Sequence, residues 1–392
     1  MAAGTALRLA LLILACFPLA YYVVAIVSAS LFFRSGSYPR SAEPSAAAPP
    51  FAPPVSILKP IRGLDRETYE NYASFCRQDY PEFEILFGLS DEHDPAIPVI
   101  EQLARDFPRR SIRLLIGSEP RGVSDKVNKL SRMAREARHD ILLVSDSDVR
   151  VEAGFLQSVV QPFRDRATGG VTCLYKGLTD GSFAADLEAL GNSTDFAPGV
   201  LVARLFGDLD FMLGAVMVTT KAHLAEIGGF ESLADYFCDD YELGNRIAAR
   251  GHRVELSPTP VAVVYPGETL QEAFRHQVRW ILSIRHSRPW GHRALIFSQA
   301  LPWALLAAWI APSGWLAAGY LASYGVLRAG LAMVVGVRGM KDSLVRRRLW
   351  MLPLRDAFAF AVWIASFFPQ RIRWRDREFL VREKRLVPVE RR

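Results

Sequence analysis

Two long stretches without a single charged residue constrain this chain more than any other feature. Residues 9–33 are one, 25 residues between Arg8 and Arg34, rich in Leu, Ala, Val, Phe and Tyr. Residues 294–327 are the other, 34 residues long. About 20 apolar residues suffice to cross the hydrocarbon layer as a helix. The first stretch is therefore expected to anchor the chain over 1–34, its apolar core being too long for a cleaved signal peptide. The second stays apolar to Val337 apart from Arg328, and Pro302, Pro312 and Gly314 break it near the middle. It reads as two spans joined by a turn at 312–314. A third apolar segment, 349–369, is basic on both sides, so it is expected to lie in the interface or re-enter rather than cross. Together these segments make a C-terminal membrane region over 291–370.

Charge is unevenly placed. The chain of 392 residues carries a net +6, but 338–348 alone holds +4 and 371–392 holds +5, which leaves about −3 elsewhere. That balance gives no nucleic-acid footprint. Basic residues flanking apolar segments mark the cytoplasmic face of a membrane. The main domain is expected in the cytosol of a multi-pass protein, in a bacterial inner membrane, with 371–392 as a basic cytosolic tail. Residues 35–54, rich in Ser, Ala and Pro, read as a linker. Cys16, Cys76, Cys173 and Cys238 lack metal-type spacing and read as reduced thiols.

From Val55 to about Arg253, short apolar runs alternate with helical patterns. Val55–Leu58, Glu84–Leu89, Ile112–Ile116 and Ile141–Ser145 read as strands, with helices near 66–78, 95–107 and 124–138 between them. Such alternation marks βαβ units and a doubly wound α/β sheet. Gly228-Gly229-Phe230 reads as a tight turn, and residues 239–250 as a helix stopped by Gly251. An amphipathic stretch, 271–286, leads into the membrane region. One α/β domain over 55–290 accounts for these patterns.

Polar residues gather where such a sheet binds ligands, at the carboxyl ends of its strands. Asp146 and Asp148 follow the strand at 141–145, and Asp91 and Asp94 follow the one at 84–89. Two carboxylates spaced i, i+2 repel each other unless a cation sits between them, which points to Mg²⁺ or Mn²⁺. Such an ion would also neutralise a substrate diphosphate. Lys126 and Asn128 open the helix just before that strand; they would contact phosphate or ribose, or simply solvate a basic helix start. Cys238-Asp239-Asp240-Tyr241 begins another helix, where carboxylates also serve as ordinary dipole partners. His276-Gln277-Val278-Arg279-Trp280 precedes the membrane region and also suits a juxtamembrane Arg/Trp belt.

Taken in order, these motifs resemble those of the inverting, membrane-bound nucleotide-sugar glycosyltransferases. Within them the chain is similar to the ceramide glucosyltransferase family and its bacterial hopanoid-biosynthesis relatives. The resemblance runs over roughly 55–290. It rests on Val55-Ser-Ile-Leu-Lys-Pro-Ile-Arg-Gly63, Gln78-Asp-Tyr-Pro81, Asp94-Pro-Ala-Ile97, Lys126 and Asn128, Ser145-Asp-Ser147, Asp239-Asp-Tyr241 and Arg279-Trp280. It implies a GT-A type nucleotide-sugar-binding domain with membrane helices on both sides. A UDP-sugar donor, a divalent metal and a membrane-lipid acceptor of ceramide or hopanoid type are implied with it. Asp94 and Asp146 match the first two family aspartates and Asp240 the third. His276 stands where the family usually has Gln or Arg, Asp148 stands where the ceramide enzymes often have Gly, and no His occurs near Thr194. Those departures bear on the acceptor more than on sugar transfer.

The resemblance implies roles as well. Asp94, Lys126, Asn128, Asp146 and Asp148 would bind the nucleotide sugar, with Asp146 and Asp148 on the metal. Asp240 would be the general base toward a lipid hydroxyl. Arg279 would add positive charge to the leaving UDP, and Trp280 would close over the sugar or line the acceptor entrance, with His276 in the same motif. The expected reaction moves a hexose, glucose first, from UDP to a membrane lipid. A hopanoid-lipid glycosyltransferase, a polysaccharide synthase and a non-catalytic scaffold are the other readings.

Overall fold

The computed structural model describes residues 2–35, 51–117, 121–267, 269–368, 372–374 and 377–388. Most of the expected linker, residues 36–50, lies outside them. The chain divides into two compact units. A sheet unit gathers Ser35–Leu178, Gly207–Pro266 and Arg371–Arg392. A helical unit gathers Met1–Arg34, Thr179–Phe206 and Gly267–Gln370.

The sheet unit holds eight strands: β1 (Val55–Pro60), β2 (Phe83–Leu89), β3 (Ser111–Ile116), β4 (Ile141–Ser145), β5 (Val149–Arg150), β6 (Thr168–Leu178), β7 (Val216–Thr220) and β8 (Arg253–Val264). Their order is β3-β2-β1-β4-β7-β6-β8-β5. The half containing β3, β2, β1 and β4 is parallel, as the sequence suggests. Helices Thr68–Cys76, Ile97–Asp106 and Asp125–Glu136 make its crossovers. Every residue of β1, β2 and β4 is buried, which is why these strands read as mainly apolar runs, broken only by Ser56, Lys59, Glu84 and Ser145. The other half departs from a doubly wound pattern. β7 runs antiparallel to both β4 and β6, and β8 lies parallel to β6.

The 371–392 segment does more than trail. Ile372–Trp374 (β9), Arg377–Arg382 (β10) and Arg385–Pro388 (β11) form a second, antiparallel sheet. It joins the sheet unit through backbone bonds, Phe237 N–H donating to Lys384 O at 2.9 Å and Leu386 N–H donating to Asp235 O at 2.8 Å. Lys384 Nζ lies 3.4 Å from Glu242 Oε1 and 5.2 Å from the centre of the Tyr241 ring. The segment thus braces the stretch that leads into Asp239 and Asp240.

In the helical unit, Ala3–Arg34 (32 residues) and Gly314–Gly339 (26 residues) are long and apolar enough to cross a membrane. The expected turn at 312–314 is present: Ser313 caps the second of these helices, its hydroxyl accepting from Leu316 N–H. The leg before it differs from a plain span. Ala300–Ile310 is 11 residues long, about 16 Å against a hydrocarbon layer of roughly 30 Å. It reaches a span's length only together with Pro289–Ser298, from which it is bent by 52°. The third apolar segment forms a 14-residue helix, Leu352–Ala365, again shorter than a crossing needs.

Arg328, the one charge interrupting the apolar run, is 2% exposed. Its guanidinium donates to Asp356 Oδ1 at 2.6 Å, Asp195 Oδ1 at 2.7 Å and Thr194 O at 2.6 Å. Arg355 Nε donates to Asp195 Oδ2 at 2.7 Å, and the Tyr324 hydroxyl to Asp356 Oδ2 at 2.7 Å. A charge inside an apolar helix is tolerated when it is paired in this way. Removing one partner strands the other, so Arg328→Met is expected to cost ~3–5 kcal/mol of stability. Thermal unfolding of the two purified proteins in detergent checks it; an unchanged midpoint would show that the network does not hold the helices.

Candidate active site

The sheet unit brings several charged groups to the carboxyl ends of its central strands. β1 ends in Lys59-Pro60, and its neighbour β4 runs out into Asp146-Ser147-Asp148. The helix Asp125–Glu136, capped by the Ser124 hydroxyl on Val127 N–H, presents Lys126 in its first turn. The helix Asp239–Ala249 presents Asp239 and Asp240 in its own first turn. That helix sits close because of Gly244, where a Cβ would lie 2.4 Å from the backbone of Phe211 and Met212.

Lys126 ties two of these elements together. Its Nζ lies 2.7 Å from Asp146 Oδ1 and 3.8 Å from Asp239 Oδ2. Burial works against its charge, but Asp146 and Asp239 hold the ammonium above its ordinary pKa. Lys59 is fully buried; its Nζ donates to Asp146 O at 2.9 Å and Ser145 Oγ at 3.2 Å and sits 3.9 Å from the Phe75 ring centre. Burial pulls Lys59 down to about 7, against the opposing pull of Asp148, Asp146 and Asp65. Asp148 is pushed up to about 7 by burial and by Asp146 and Asp65, with Lys59 opposing. Asp240 is pushed up to about 6 by burial and by Asp239, with Lys126 opposing, while Tyr241 N–H donates to its Oδ1 at 2.8 Å.

Two lysines, Lys59 and Lys126, thus act on five carboxylates: Asp65, Asp146, Asp148, Asp239 and Asp240. A divalent cation fits this deficit. Asp146 and Asp148 offer hard oxygen donors, and Asp148, raised first by burial and then by the negative charge of Asp146 and Asp65, is a carboxylate whose charged form a bound cation would favour. One or two carboxylates, completed by substrate phosphates, are what Mg²⁺ usually takes from a protein.

Two residues expected at the ligand also hold the backbone around them. Asp94, buried, accepts from Gly63 N–H at 2.8 Å and Ala96 N–H at 2.9 Å. It clasps the turn after β1, where Gly63 has φ +72°, to the loop after β2. Asn128, also buried, accepts from Arg121 N–H at 3.0 Å and Gly122 N–H at 3.2 Å and donates to Gly122 O at 2.9 Å. Both shape loops at the strand ends. His276, Arg279 and Trp280 lie on the helix Leu270–Ser287 of the other unit. There His276 Nδ1 pairs with the buried Glu188, whose Oε1 also accepts from Gln277 Nε2 at 3.0 Å. The Trp280 ring packs 5.4 Å from that of His276 and 6.5 Å from that of Phe196. Sequence reasoning missed Lys59, Asp65 and Glu188. Lys59 had a signal, a lone charge closing an apolar strand; Asp65 and Glu188 had none.

A family model described as Glycosyl transferase family 21 matches residues 10–387. The chain belongs to that family. This family 21 chain is 30% identical over 233 residues to ceramide glucosyltransferase 1 of Caenorhabditis elegans, across 59% of its own length and 50% of the relative's. It is 31% identical over 195 residues to the ceramide glucosyltransferase of Gibberella zeae, across 47% and 36% of the two lengths. The chain therefore spans about half the length, or less, of these relatives. Its fold is like that of the mannosyltransferase PcManGT from Pyrobaculum calidifontis, solved with GDP-Man and Mn²⁺. The TM-score is 0.52 at 17% identity, covering 91% of this chain and 99% of that one. The α/β, GT-A type fold expected from the sequence, with candidate membrane helices toward both ends, is the fold observed.

Proposed function

We propose that this chain is a membrane-bound, inverting glycosyltransferase that moves a hexose from a UDP-sugar to the hydroxyl of a membrane lipid. Glucose and ceramide are the first pair to test; a hopanoid-type lipid is the second acceptor. The observation that carries the reading is the cluster of five carboxylates and two lysines at the strand ends. It occurs in a family 21 chain that also has helices long enough to cross a bilayer.

Asp146 and Asp148 would hold Mg²⁺ or Mn²⁺, which supplies Lewis-acid neutralisation of the donor's diphosphate. Lys126 holds Asp146 in place, and Lys59 fixes the chain where β4 ends. Asp240 is the general base, taking the proton of the lipid hydroxyl. Tyr241 N–H donates to its Oδ1 at 2.8 Å, and the Cys238 side chain also bonds this carboxylate. Burial and Asp239 raise this carboxyl to about 6, which makes it a stronger base than a solvated aspartate. A base at this pKa is protonated, and idle, below it. Turnover is therefore expected to rise about tenfold per pH unit up to a bend near 6 and to flatten above it. A log-rate profile flat from pH 5 to 7 would remove Asp240 from this role.

A lipid acceptor explains the membrane helices. Withdrawing its tail into water costs about 0.8 kcal/mol per CH₂, so the enzyme must meet the headgroup at the bilayer. We place the sheet unit on the cytosolic side of a bacterial inner membrane, in a multi-pass protein, as the basic flanks at 338–348 and 371–392 favour. Arg279 is assigned to the leaving diphosphate. Arg279→Lys keeps the charge but loses the bidentate fork, and it is expected to lower turnover roughly 10²-fold, the cost of one lost charge-stabilising donor. The reading is tested by incubating membranes that contain the protein with labelled UDP-sugars and lipid acceptors, ceramide and hopanoid types included, and reading the products by mass. No glycosylated lipid from any pair would overturn it.

A further inference from the structure

Outside the carboxylate cluster, the described residues of the sheet unit hold one other group with metal-ligand chemistry: His223, Glu226 and His252. Each offers one ligand atom, and these atoms lie within 4.8 Å of one another. His223 and Glu226 stand on the short helix Lys221–Glu226 that follows β7, and His252 immediately precedes β8. Two chain segments therefore meet here.

The group is well separated from the candidate active site. Thr220, the last residue of β7, pairs with Ile141, the first residue of β4, whereas Asp146 follows the last residue of β4. A strand of five residues spans about 16 Å. The three side chains thus sit at the opposite end of the sheet from the carboxylates assigned to the donor.

We propose that His223, Glu226 and His252 form a second metal site, selective for a borderline divalent transition ion, Zn²⁺ above all. Two imidazoles and one carboxylate are a donor set that Zn²⁺ takes, and one that Mg²⁺ and Ca²⁺, with their preference for oxygen, do not. The imidazoles are placed in advance. The Thr220 hydroxyl lies 2.9 Å from His223 Nδ1, the kind of outer contact that fixes the orientation of a ligating histidine. His252 is held beside β6 because Gly169 has no side chain; a Cβ there would lie 2.5 Å from that of His252. The two imidazole rings are 4.3 Å apart, and His252 Nε2 lies 2.8 Å from Glu226 Oε2. Zinc bonds of about 2.0–2.2 Å in tetrahedral geometry put ligand atoms roughly 3.4 Å apart. The Glu226 side chain is half exposed and so has room to adjust toward that spacing. A bound ion would clip the helix after β7 to the turn before β8, and solvent would complete its coordination.

Zn²⁺ titrated calorimetrically into the purified full chain in detergent, with Mg²⁺ in large excess to occupy oxygen-donor sites, tests the proposal. A single saturable Zn²⁺ per chain is expected, with affinity about 100-fold weaker in Glu226→Gln and in His252→Asn, the scale on which metal sites respond even to lost outer partners. Zn²⁺ should raise the thermal midpoint of the parent protein and not of the variants. Circular dichroism of both variants separates loss of the ligand from loss of the fold, Glu226 being half exposed and His252 partly buried. No saturable Zn²⁺ uptake, or equal uptake by the parent and both folded variants, would overturn it.

Discussion

Asp240→Asn is expected to abolish lipid glycosylation, a loss of about 10²–10⁴-fold in turnover, while nucleotide binding stays nearly intact. The substitution is isosteric. Its Oδ1 still accepts from Tyr241 N–H, as Asp240 Oδ1 does at 2.8 Å, so the start of the Asp239–Ala249 helix keeps its local bond. What disappears is the site that takes the proton. The linkage sign supplies a control. Burial and Asp239 raise the Asp240 carboxyl to about 6, above its ordinary value near 4. Its contribution to stability is therefore fully present below the unfolded pKa and is lost as pH rises through 6. At pH 7 the charged form burdens the fold, so the amide variant should unfold at the same temperature or higher. An inactive protein of undiminished stability that still binds UDP is the expected result. Activity within threefold of the parent would assign the base elsewhere.

The second large effect is expected at Asp148. Asp148→Asn removes one of the two proposed cation ligands and should slow turnover by about two orders of magnitude, the scale of a few kcal/mol of charge stabilisation. It is a cleaner variant than Asp146→Asn, because Asp146 also holds Lys126 at 2.7 Å and a change there would free that ammonium as well. Asp148 is pushed up to about 7 by burial and its neighbours' negative charge, so neutralising it should leave the fold at least as stable at pH 7. The readout that separates a ligand from a merely structural residue is the Mn²⁺ dependence. Half-maximal Mn²⁺ should move upward in Asp148→Asn; an unchanged Mn²⁺ requirement would place the ion elsewhere.

Much of this architecture is legible in the sequence, for identifiable reasons. The parallel half of the sheet is buried on both faces, so β1, β2 and β4 show as apolar runs, and Ile141–Ser145 matches its strand to the residue. The mixed half is not legible in that way. β6 contains Gly169, Gly170 and Gly177, and β8 contains Pro258 and Pro260, so neither shows an unbroken run or a clean alternation. The helix stop at Gly251 and the turn at Gly228-Gly229 were readable because all three glycines occupy the left-handed region, where other residues are strained. Arg328 looked out of place because its partners, Thr194, Asp195 and Asp356, lie far away in the chain. The same holds for Glu188 beneath His276 and Gln277. At the candidate site, the carboxylates announced themselves by position at strand ends. The assignments of Asp94 and Asn128 rested on motif order, and only the structure shows their polar atoms engaged with the loops around them.

The central claim is that the carboxylates at the strand ends move a sugar from a nucleotide to a lipid. Its most direct test measures hexosyl-lipid formation by mass spectrometry, using purified protein in ceramide-containing bicelles with UDP-glucose, with and without Mn²⁺, in parent and Asp240→Asn forms. The account predicts glycosylated ceramide, stoichiometric with UDP released, only from the parent and only with the metal. UDP release that is indifferent to lipid, or product formed equally by Asp240→Asn, would contradict it.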